Sequence, residues 1–181
     1  TIGSPGNAPY TGFSDPDAPT FGRGGVGYEY RMGRTEVTTG QWVEFFSAAL
    51  ARPDRLPFAD LDWWTTPVLW GGRPDPSYQG PGTRFIVRQD IANAELIPAG
   101  TISWRMAAVL CNWLHNDKRT DPAAFMSGAY DLTTFTPEFG FPQFNDQRTR
   151  SPGARYWIPS LDEYMKAAFY DPDGEGIGQP R

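Results

Sequence analysis

The chain has 181 residues, of which 39% are hydrophobic and 15% aromatic, and this is enough apolar material for one folded domain with a core. Its formal net charge is −5 and no basic stripe runs along it, so nucleic acid and anionic membrane surfaces are poor partners. No apolar run is long enough to span a membrane, so membrane insertion is not expected.

The first predicted element is an extended arm. Residues 1–27 are rich in Gly, Pro, Asp and Ser and are not expected to form a regular helix or strand. The predicted domain covers residues 28–181, and it opens at residues 28–32, where apolar and polar side chains alternate as in a strand. Thr38 and Gln41 then form a capping-box pair, and apolar residues recur at helical spacing up to Leu50, which predicts the first helix.

Residues 53–100 are predicted to be a long, proline-rich loop, because they show no sustained period. Within the loop, only residues 84–88 (RFIVR) have the character of a short strand. Rings that lie among prolines and glycines stack on sugars, peptides or a partner protein, so the aromatic residues of this loop are candidate binding residues. The alternative interpretation is that these aromatic side chains pack over the small core and cover it. The four residues are Trp63, Trp64, Trp70 and Tyr78.

Two further helices are predicted after the loop. Ser103 caps the first of them, and Ser160 with Glu163 forms a capping box at the start of the second, which ends at Asp171. Residues 155–158 are predicted to be a short strand just before the last helix. We expect all three helices to share one core through their apolar faces. The predicted aromatic members of that core are Trp42, Phe45, Trp104, Trp113, Tyr164 and Phe169.

Little in the sequence points to catalysis. Cys111 is the only cysteine, so the chain forms no internal disulfide. It lies on the apolar face of the second predicted helix, where burial makes a thiol inert, and we therefore expect a structural role. His115 is the only histidine, which excludes a metal site built from several imidazoles of this chain. Its position at the end of the helix predicts that it caps carbonyl groups or complements the helix dipole.

One metal signal follows the last predicted helix. Asp171, Asp173 and Glu175, in the segment DPDGEG, are candidate calcium ligands, because alternating carboxylates around a glycine can converge on a hard cation. The alternative is a solvated, acidic helix exit, since the full twelve-residue pattern of a calcium loop is absent. No other cofactor is expected within this chain.

Three longer sequence words contain the predicted helices. They are Tyr28–Leu50 (YEYRMGRTEVTTGQWVEFFSAAL), Ile102–Asn116 (ISWRMAAVLCNWLHN) and Gly153–Asp173 (GARYWIPSLDEYMKAAFYDPD). In that order they resemble the formylglycine-generating-enzyme/sulfatase-modifying-factor family, especially its secreted bacterial members. The resemblance implies an α+β fold of the C-type-lectin-like kind, with two to three amphipathic helices on short, twisted antiparallel strands and much irregular structure. The family's C-terminal half, with its GNVWEW-type segment and metal-binding cysteines, has no counterpart here.

The resemblance also implies a location outside the cytoplasm, secreted or on a bacterial cell surface, with the signal peptide already removed. The first functional hypothesis is a non-catalytic binding or structural module of an exported bacterial protein. Its partner would be another protein, a second copy, a C-terminal segment of the same parent chain, or a carbohydrate. The alternative is the N-terminal part of a copper-dependent oxidase whose catalytic cysteines lie beyond Arg181. The single cysteine and single histidine favour the first hypothesis over the enzyme.

Overall fold

The computed structural model describes residues 1–11, 19–54, 56, 66–135 and 145–171. Within these residues the chain is a mixed α+β protein, as the sequence predicts. Its α-helices are α1 (Thr39–Leu50), α2 (Trp104–His115), α3 (Pro122–Met126) and α4 (Leu161–Phe169), and its strands are β1 (Gly72–Pro74) and β2 (Phe85–Val87). Single turns of 3-10 helix lie at Ala94–Leu96 and Leu132–Thr134. Among the described residues, no helix has the length and apolar character needed to cross a membrane.

The chain divides into two compact units. The core unit is Thr35–Ile158 and contains α1, α2, α3 and the small sheet. The arm unit combines the N-terminal segment Thr1–Arg34 with Pro159–Arg181, and it contains α4. The arm unit therefore joins an N-terminal segment to α4, and each unit has its own set of stabilising contacts.

The three predicted helices are confirmed, and each starts next to its predicted cap. The backbone N–H of Thr38 donates to Oε1 of Gln41 at 2.9 Å, just before α1. Ser103 Oγ accepts a hydrogen bond from the N–H of Met106 at 3.1 Å and so caps α2. Ser160 is the N-cap of α4. These bonds satisfy N–H groups that lack a partner within the helix, which is why the cap residues mark helix starts reliably.

The predicted strand at residues 84–88 is also confirmed. It forms β2, which pairs antiparallel with β1 so that Gly72 lies opposite Val87. The alternation at residues 28–32 produces less than a strand, since Tyr30 makes a single antiparallel bridge with Ile2. The short helix α3 was not predicted, because its five residues are too few to show a helical period.

Residues 155–158 do not form the predicted strand. The N–H of Arg155 donates to Nδ1 of His115 at 3.1 Å, and the N–H of Ile158 donates to the hydroxyl of Tyr130 at 3.0 Å. Because these donors are satisfied by side chains, the segment has no need of a neighbouring strand. The ring of His115 thus anchors this loop, which differs from the predicted role as a helix cap.

Aromatic side chains fill the core unit. Trp42, Phe45 and Trp113 are buried as predicted, and Trp104 is partly buried against the same core. The ring centroids of Phe45 and Trp113 lie 5.6 Å apart, which joins α1 to α2. The ring of Phe125 lies 6.5 Å from that of Phe45, so α3 packs on the same cluster. Each ring pair of this kind contributes about 0.5–1.5 kcal/mol beyond the burial of its area.

One buried amide organises the chain that follows α2. Asn112 is completely buried, and its Nδ2 donates to the carbonyl oxygens of Phe125 at 3.0 Å and Tyr130 at 2.9 Å. Its Oδ1 accepts the N–H of Tyr130 at 2.7 Å. Asn112 therefore satisfies three backbone groups that would otherwise be buried without partners, one at Phe125 in α3 and two at Tyr130.

Two predicted core residues are wrong. Tyr164 and Phe169 of α4 are 53% and 55% exposed, so α4 does not bury the apolar face that the sequence analysis assigned to it. The physical reason is that the opposite face of α4, which carries Glu163 and Lys166, is the buried one.

The role of Asn112 predicts a large loss of stability on truncation. Asn112→Ala leaves three buried backbone groups without partners, so the free energy of unfolding should fall by about 3 kcal/mol or more. Urea denaturation monitored by tryptophan fluorescence measures this loss. Gln79→Ala removes an exposed amide and serves as the control, with an expected change within about 0.5 kcal/mol. Equal midpoints for the two variants would contradict the assigned role.

Candidate functional site

Two charged residues of α4 are almost completely buried. Glu163 and Lys166 each keep only 1% of their surface exposed. They are three positions apart, so both side chains leave the helix on the same side. A buried charge is costly unless hydrogen bonds compensate it, so the partners of these two residues determine how α4 lies in the arm unit.

Backbone carbonyl groups of the N-terminal segment hold the ammonium group of Lys166. Its Nζ donates to the carbonyl oxygen of Ser4 at 2.8 Å and to that of Val26 at 3.3 Å. Burial lowers the pKa of Lys166, and the negative charge of Glu29 opposes part of that shift. Because Ser4 and Val26 lie on different segments, a single ammonium group ties both of them to α4.

Glu163 makes contacts through its side chain and its backbone. Its Oε2 accepts the N–H of Ser160 at 2.7 Å, and Ser160 Oγ accepts the N–H of Glu163 at 3.2 Å, which completes the predicted capping box. Its Oε1 accepts a hydrogen bond from the hydroxyl of Tyr28 at 2.7 Å. The hydroxyl of Tyr30 donates to the Glu163 carbonyl oxygen at 2.5 Å. Two tyrosines of residues 28–32 thus bind one residue of the helix.

The environment of Tyr30 disfavours its ionised form. Its side chain is buried, with 5% of the residue exposed. Burial first, and then the negative charge of Glu163, raise the pKa of Tyr30 to about 12. The hydroxyl therefore stays protonated over the physiological range and remains a hydrogen-bond donor.

Asp162 extends the contact between α4 and the N-terminal segment. Its Oδ1 accepts the N–H of Gly24 at 2.8 Å, and its Oδ2 lies 3.7 Å from a guanidinium nitrogen of Arg23. The ion pair is half exposed, so water screens it and its contribution is small. Together, Asp162, Glu163 and Lys166 form the polar face of α4, which is covered by the N-terminal segment.

The large apolar side chains of α4 are exposed, except for that of Met165, which is buried. Leu161, Tyr164 and Phe169 are 46%, 53% and 55% exposed, and Ala168 is exposed as well. Leu161, Tyr164 and Ala168 are spaced i, i+3 and i+7, so they form one ridge on the helix surface. We refer to these four residues as the outer ridge. A helix of a globular protein usually buries its apolar stripe, and α4 does the reverse.

Trp70, one of the predicted binding residues of the long loop, has packing contacts in the core unit. Its ring is half-buried, 5.7 Å from the ring of Phe46 and 5.6 Å from that of Phe85. These contacts are the ones that a residue roofing the core would make. Trp63 and Trp64 lie outside the described residues.

Tyr78, the fourth of those residues, belongs to a tight loop between β1 and β2. The guanidinium group of Arg84 lies 4.9 Å from the centroid of its ring, within cation–π range. The carboxylate of Asp75 accepts hydrogen bonds from both Arg84 and Ser77. Those hydrogen bonds hold the pKa of Asp75 at about 2, so the loop stays tied together except in strong acid.

The remaining predicted site residues do not converge in the described part of the chain. Cys111 is buried as predicted, and burial raises the pKa of its thiol to about 12, which leaves almost no thiolate at neutral pH. Asp171 follows α4, whereas Asp173 and Glu175 lie outside the described residues, so the calcium site stays a prediction. Over the described ranges, no three His, Cys, Asp or Glu side chains are grouped as metal ligands would be.

Comparison of the chain with protein families, with curated proteins and with solved structures finds no match. The candidate site therefore rests on its own geometry.

The sequence analysis did not identify the site residues Lys166, Tyr28 and Tyr30, although a signal for them existed. Tyr28 and Tyr30 alternate in an extended segment, so their hydroxyls project to the same side. Glu163 and Lys166 lie on one side of the predicted helix, opposite its apolar residues. The pattern marks two polar surfaces, but only the folded chain shows that they meet.

The contacts of Lys166 predict that its removal loosens the arm. Lys166→Met keeps the length of the side chain but loses both bonds to carbonyl oxygens, so the amides of residues 2–10 should exchange hydrogen at least about tenfold faster. Hydrogen exchange read by NMR measures this change residue by residue.

Lys118→Met is the matched control for that experiment. Lys118 is half exposed and pairs with Glu44 in the core unit, so its loss should leave exchange in residues 2–10 unchanged. If Lys166→Met and Lys118→Met had the same exchange rates in the arm, the assigned role of Lys166 would be wrong.

The raised pKa of Tyr30 predicts a loss of stability in the alkaline range. A tyrosine of the unfolded chain ionises near pH 10, whereas Tyr30 in the folded chain ionises at about 12. Between these values the unfolded state binds fewer protons than the folded state, so the free energy of unfolding falls as pH rises. The lowered pKa of Lys166 has the opposite effect on the free energy of unfolding. Just below pH 10.5, Lys166 of the folded chain loses its proton before Lys166 of the unfolded chain does, so the free energy of unfolding rises with pH there.

Urea denaturation at several pH values from 9 to 12 tests the Tyr30 effect. Tyr30→Phe should flatten the decline above pH 10, and Tyr156→Phe, which changes a 44% exposed tyrosine, should leave it in place. A decline of the same slope in wild type and Tyr30→Phe would rule out Tyr30 as its source.

Proposed function

We propose that the chain is a non-catalytic binding or structural module, and that the outer ridge of α4 is the surface through which it holds a protein partner. The observation that carries the proposal is the reversed orientation of α4. Leu161, Tyr164 and Phe169 are about half exposed, while Glu163 and Lys166 of the same helix are buried. An apolar patch kept in water normally marks an interaction site.

The orientation of α4 is fixed by strong contacts. Burying the outer ridge instead would require a rotation of the helix that breaks the bonds of Lys166 to Ser4 and Val26 and of Glu163 to Tyr28. Hydrogen bonds to charged groups contribute about 1.5–3 kcal/mol each, and a buried charge without them is more costly still. The arm unit therefore keeps the outer ridge exposed and gives up the free energy that burying these apolar side chains would contribute.

The composition of the ridge favours a protein partner. It contains one Tyr and one Phe, residue types that bring large contact area with few rotatable bonds and that are common at interfaces. None of its four residues is charged, so the complementary surface is expected to be apolar. A nucleic acid or anionic lipid would meet no positive charge on this ridge, which agrees with the net charge of −5.

The proposed family and location rest on the three sequence motifs that contain the predicted helices. We propose that the chain is an exported bacterial protein of the formylglycine-generating-enzyme/sulfatase-modifying-factor type, with a C-type-lectin-like fold. Helices α1, α2 and α4 lie inside the three words that carry the resemblance, and this supports the proposal.

Replacing the exposed rings tests the proposed surface. Tyr164→Ser with Phe169→Ser should abolish most binding of an apolar fluorescent dye and any self-association seen by light scattering at high protein concentration. The free energy of unfolding should stay within about 1 kcal/mol of wild type, because both side chains are already half exposed.

Tyr156→Ser is the matched control, since Tyr156 is 44% exposed and belongs to the core unit. It should leave dye binding and association unchanged. A wild-type chain that binds no dye and stays monomeric throughout would remove the basis for this proposal, and so would a double variant that behaves as wild type.

A further inference from the structure

We propose that the arm unit is a docking site for a peptide that pairs antiparallel with residues 22–30, and that the chain's own residues 2–10 fill this site. This inference concerns the polar face of α4 and the segment beside it, so it does not depend on the outer ridge. It rests on how residues 2–10 are held.

Backbone groups make most of the hydrogen bonds between residues 2–10 and residues 22–30. The two stretches run antiparallel, as a bound strand does when it adds to a strand of its receptor. The backbone bonds are Ile2 N to Tyr30 O (2.7 Å), Tyr30 N to Ile2 O (3.3 Å), Gly6 N to Val26 O (2.9 Å), Tyr10 N to Arg23 O (2.7 Å) and Gly22 N to Tyr10 O (2.7 Å).

The receptor side of this contact contains buried residues and the bound segment contains none, although most of residues 22–30 are exposed. Val26, Tyr30 and Lys166 are 4%, 5% and 1% exposed, and Lys166 directs its ammonium at a backbone carbonyl of the bound segment. In residues 2–10, by contrast, most side chains are exposed, and none is buried. The site therefore recognises the main chain of the segment more than its side chains.

One side chain of the bound segment is recognised. Nδ2 of Asn7 donates to the carbonyl oxygen of Gly24 at 2.7 Å, and its Oδ1 accepts the N–H of Val26 at 3.2 Å. The partner that fits is thus an uncharged peptide that turns at the positions of residues 4–7 and carries an asparagine at the position of Asn7.

The bound segment also carries backbone strain. Ser4 has a φ of 55°, in the left-handed region that residues with a side chain rarely adopt, and Gly6 has a φ of 79°. The carbonyl oxygen of Ser4 accepts both Lys166 Nζ at 2.8 Å and the N–H of Asn7 at 3.3 Å, and these bonds hold the strained turn. A strained occupant held mainly by backbone bonds is replaceable by another peptide that makes the same bonds.

The test uses the full chain with a weakened arm. Ile2→Pro removes the N–H that Tyr30 accepts, and Asn7→Ala removes two further bonds, while every receptor residue is kept. The probe is a synthetic acetylated peptide with the sequence of residues 1–11, TIGSPGNAPYT. NMR follows the amides of Val26 and Tyr30 as the peptide is added.

The peptide should shift these amides in the weakened chain with a Kd of roughly 0.1–1 mM, as expected for a few backbone hydrogen bonds. In the wild-type chain the covalently linked arm competes, so the apparent affinity should be at least about tenfold lower. Adding Lys166→Met to the weakened chain should also cost at least about tenfold in affinity. A control peptide with the Ile2→Pro and Asn7→Ala changes should not bind.

No shift with the native peptide in the weakened chain, or equal shifts with both peptides, would overturn the proposal. Hydrogen exchange of the wild-type chain decides the question even if the weakened chain does not fold. The amides of Ile2, Gly6 and Tyr10 should exchange faster than those of α4, because the arm opens while its receptor stays folded. Equal rates would mean that arm and receptor open only together, and the proposal would fail.

Discussion

The charge of one buried lysine, held by two backbone carbonyl groups, determines how α4 lies in the arm unit. Lys166 is nearly inaccessible to water, and its ammonium group binds Ser4 and Val26 instead. Removing a charge from water is costly, so the helix can bury this face only while both carbonyl oxygens stay in place. Glu163 adds a second constraint from the same side, since it binds Tyr28 and the start of its own helix. The outward position of the apolar ridge follows from these contacts.

The two units are stabilised by different means. The core unit depends on packed aromatic rings and on Asn112, which satisfies the backbone of the chain after α2. The arm unit contains few buried apolar side chains among its described residues, namely Val26, Tyr30 and Met165, and relies on hydrogen bonds to charged groups. Packing of rings does not depend on pH, whereas the hydrogen bonds of Lys166 and Tyr30 depend on the protonation of those two groups. Alkali should therefore affect the arm unit before the core unit.

Much of the secondary structure was predictable from local sequence, and the candidate site was not. Caps such as Thr38, Ser103 and Ser160 act on N–H groups a few residues away, so the sequence reveals them directly. The apolar face of α4 was also identified, but periodicity does not say which face the rest of the chain covers. That outcome depends on the bond between Lys166 and Ser4, which are 162 positions apart.

Other errors have the same origin in long-range contacts. Residues 155–158 have the composition of a strand, yet His115 and Tyr130 accept their N–H groups and no ladder forms. The aromatic residues of the long loop predict a binding surface, but Trp70 packs on Phe46 and Phe85. A composition rich in Trp and Pro does not distinguish a ring that packs inward from one that meets a partner.

The reactivity of the two lysines tests the central claim. Lys118 and Lys166 are the only lysines of the chain, and their surroundings differ sharply: the side chain of Lys118 is 47% exposed, whereas Lys166 is 1% exposed and bound to two carbonyl oxygens. Brief treatment of the native chain with an amine-acetylating reagent, followed by mass spectrometry of peptides, gives the rate at each position. The account predicts that Lys118 is modified at least about tenfold faster than Lys166, and that the difference disappears in urea. Equal rates in the native chain would show that Lys166 is not buried and that the polar face of α4 does not hold the arm.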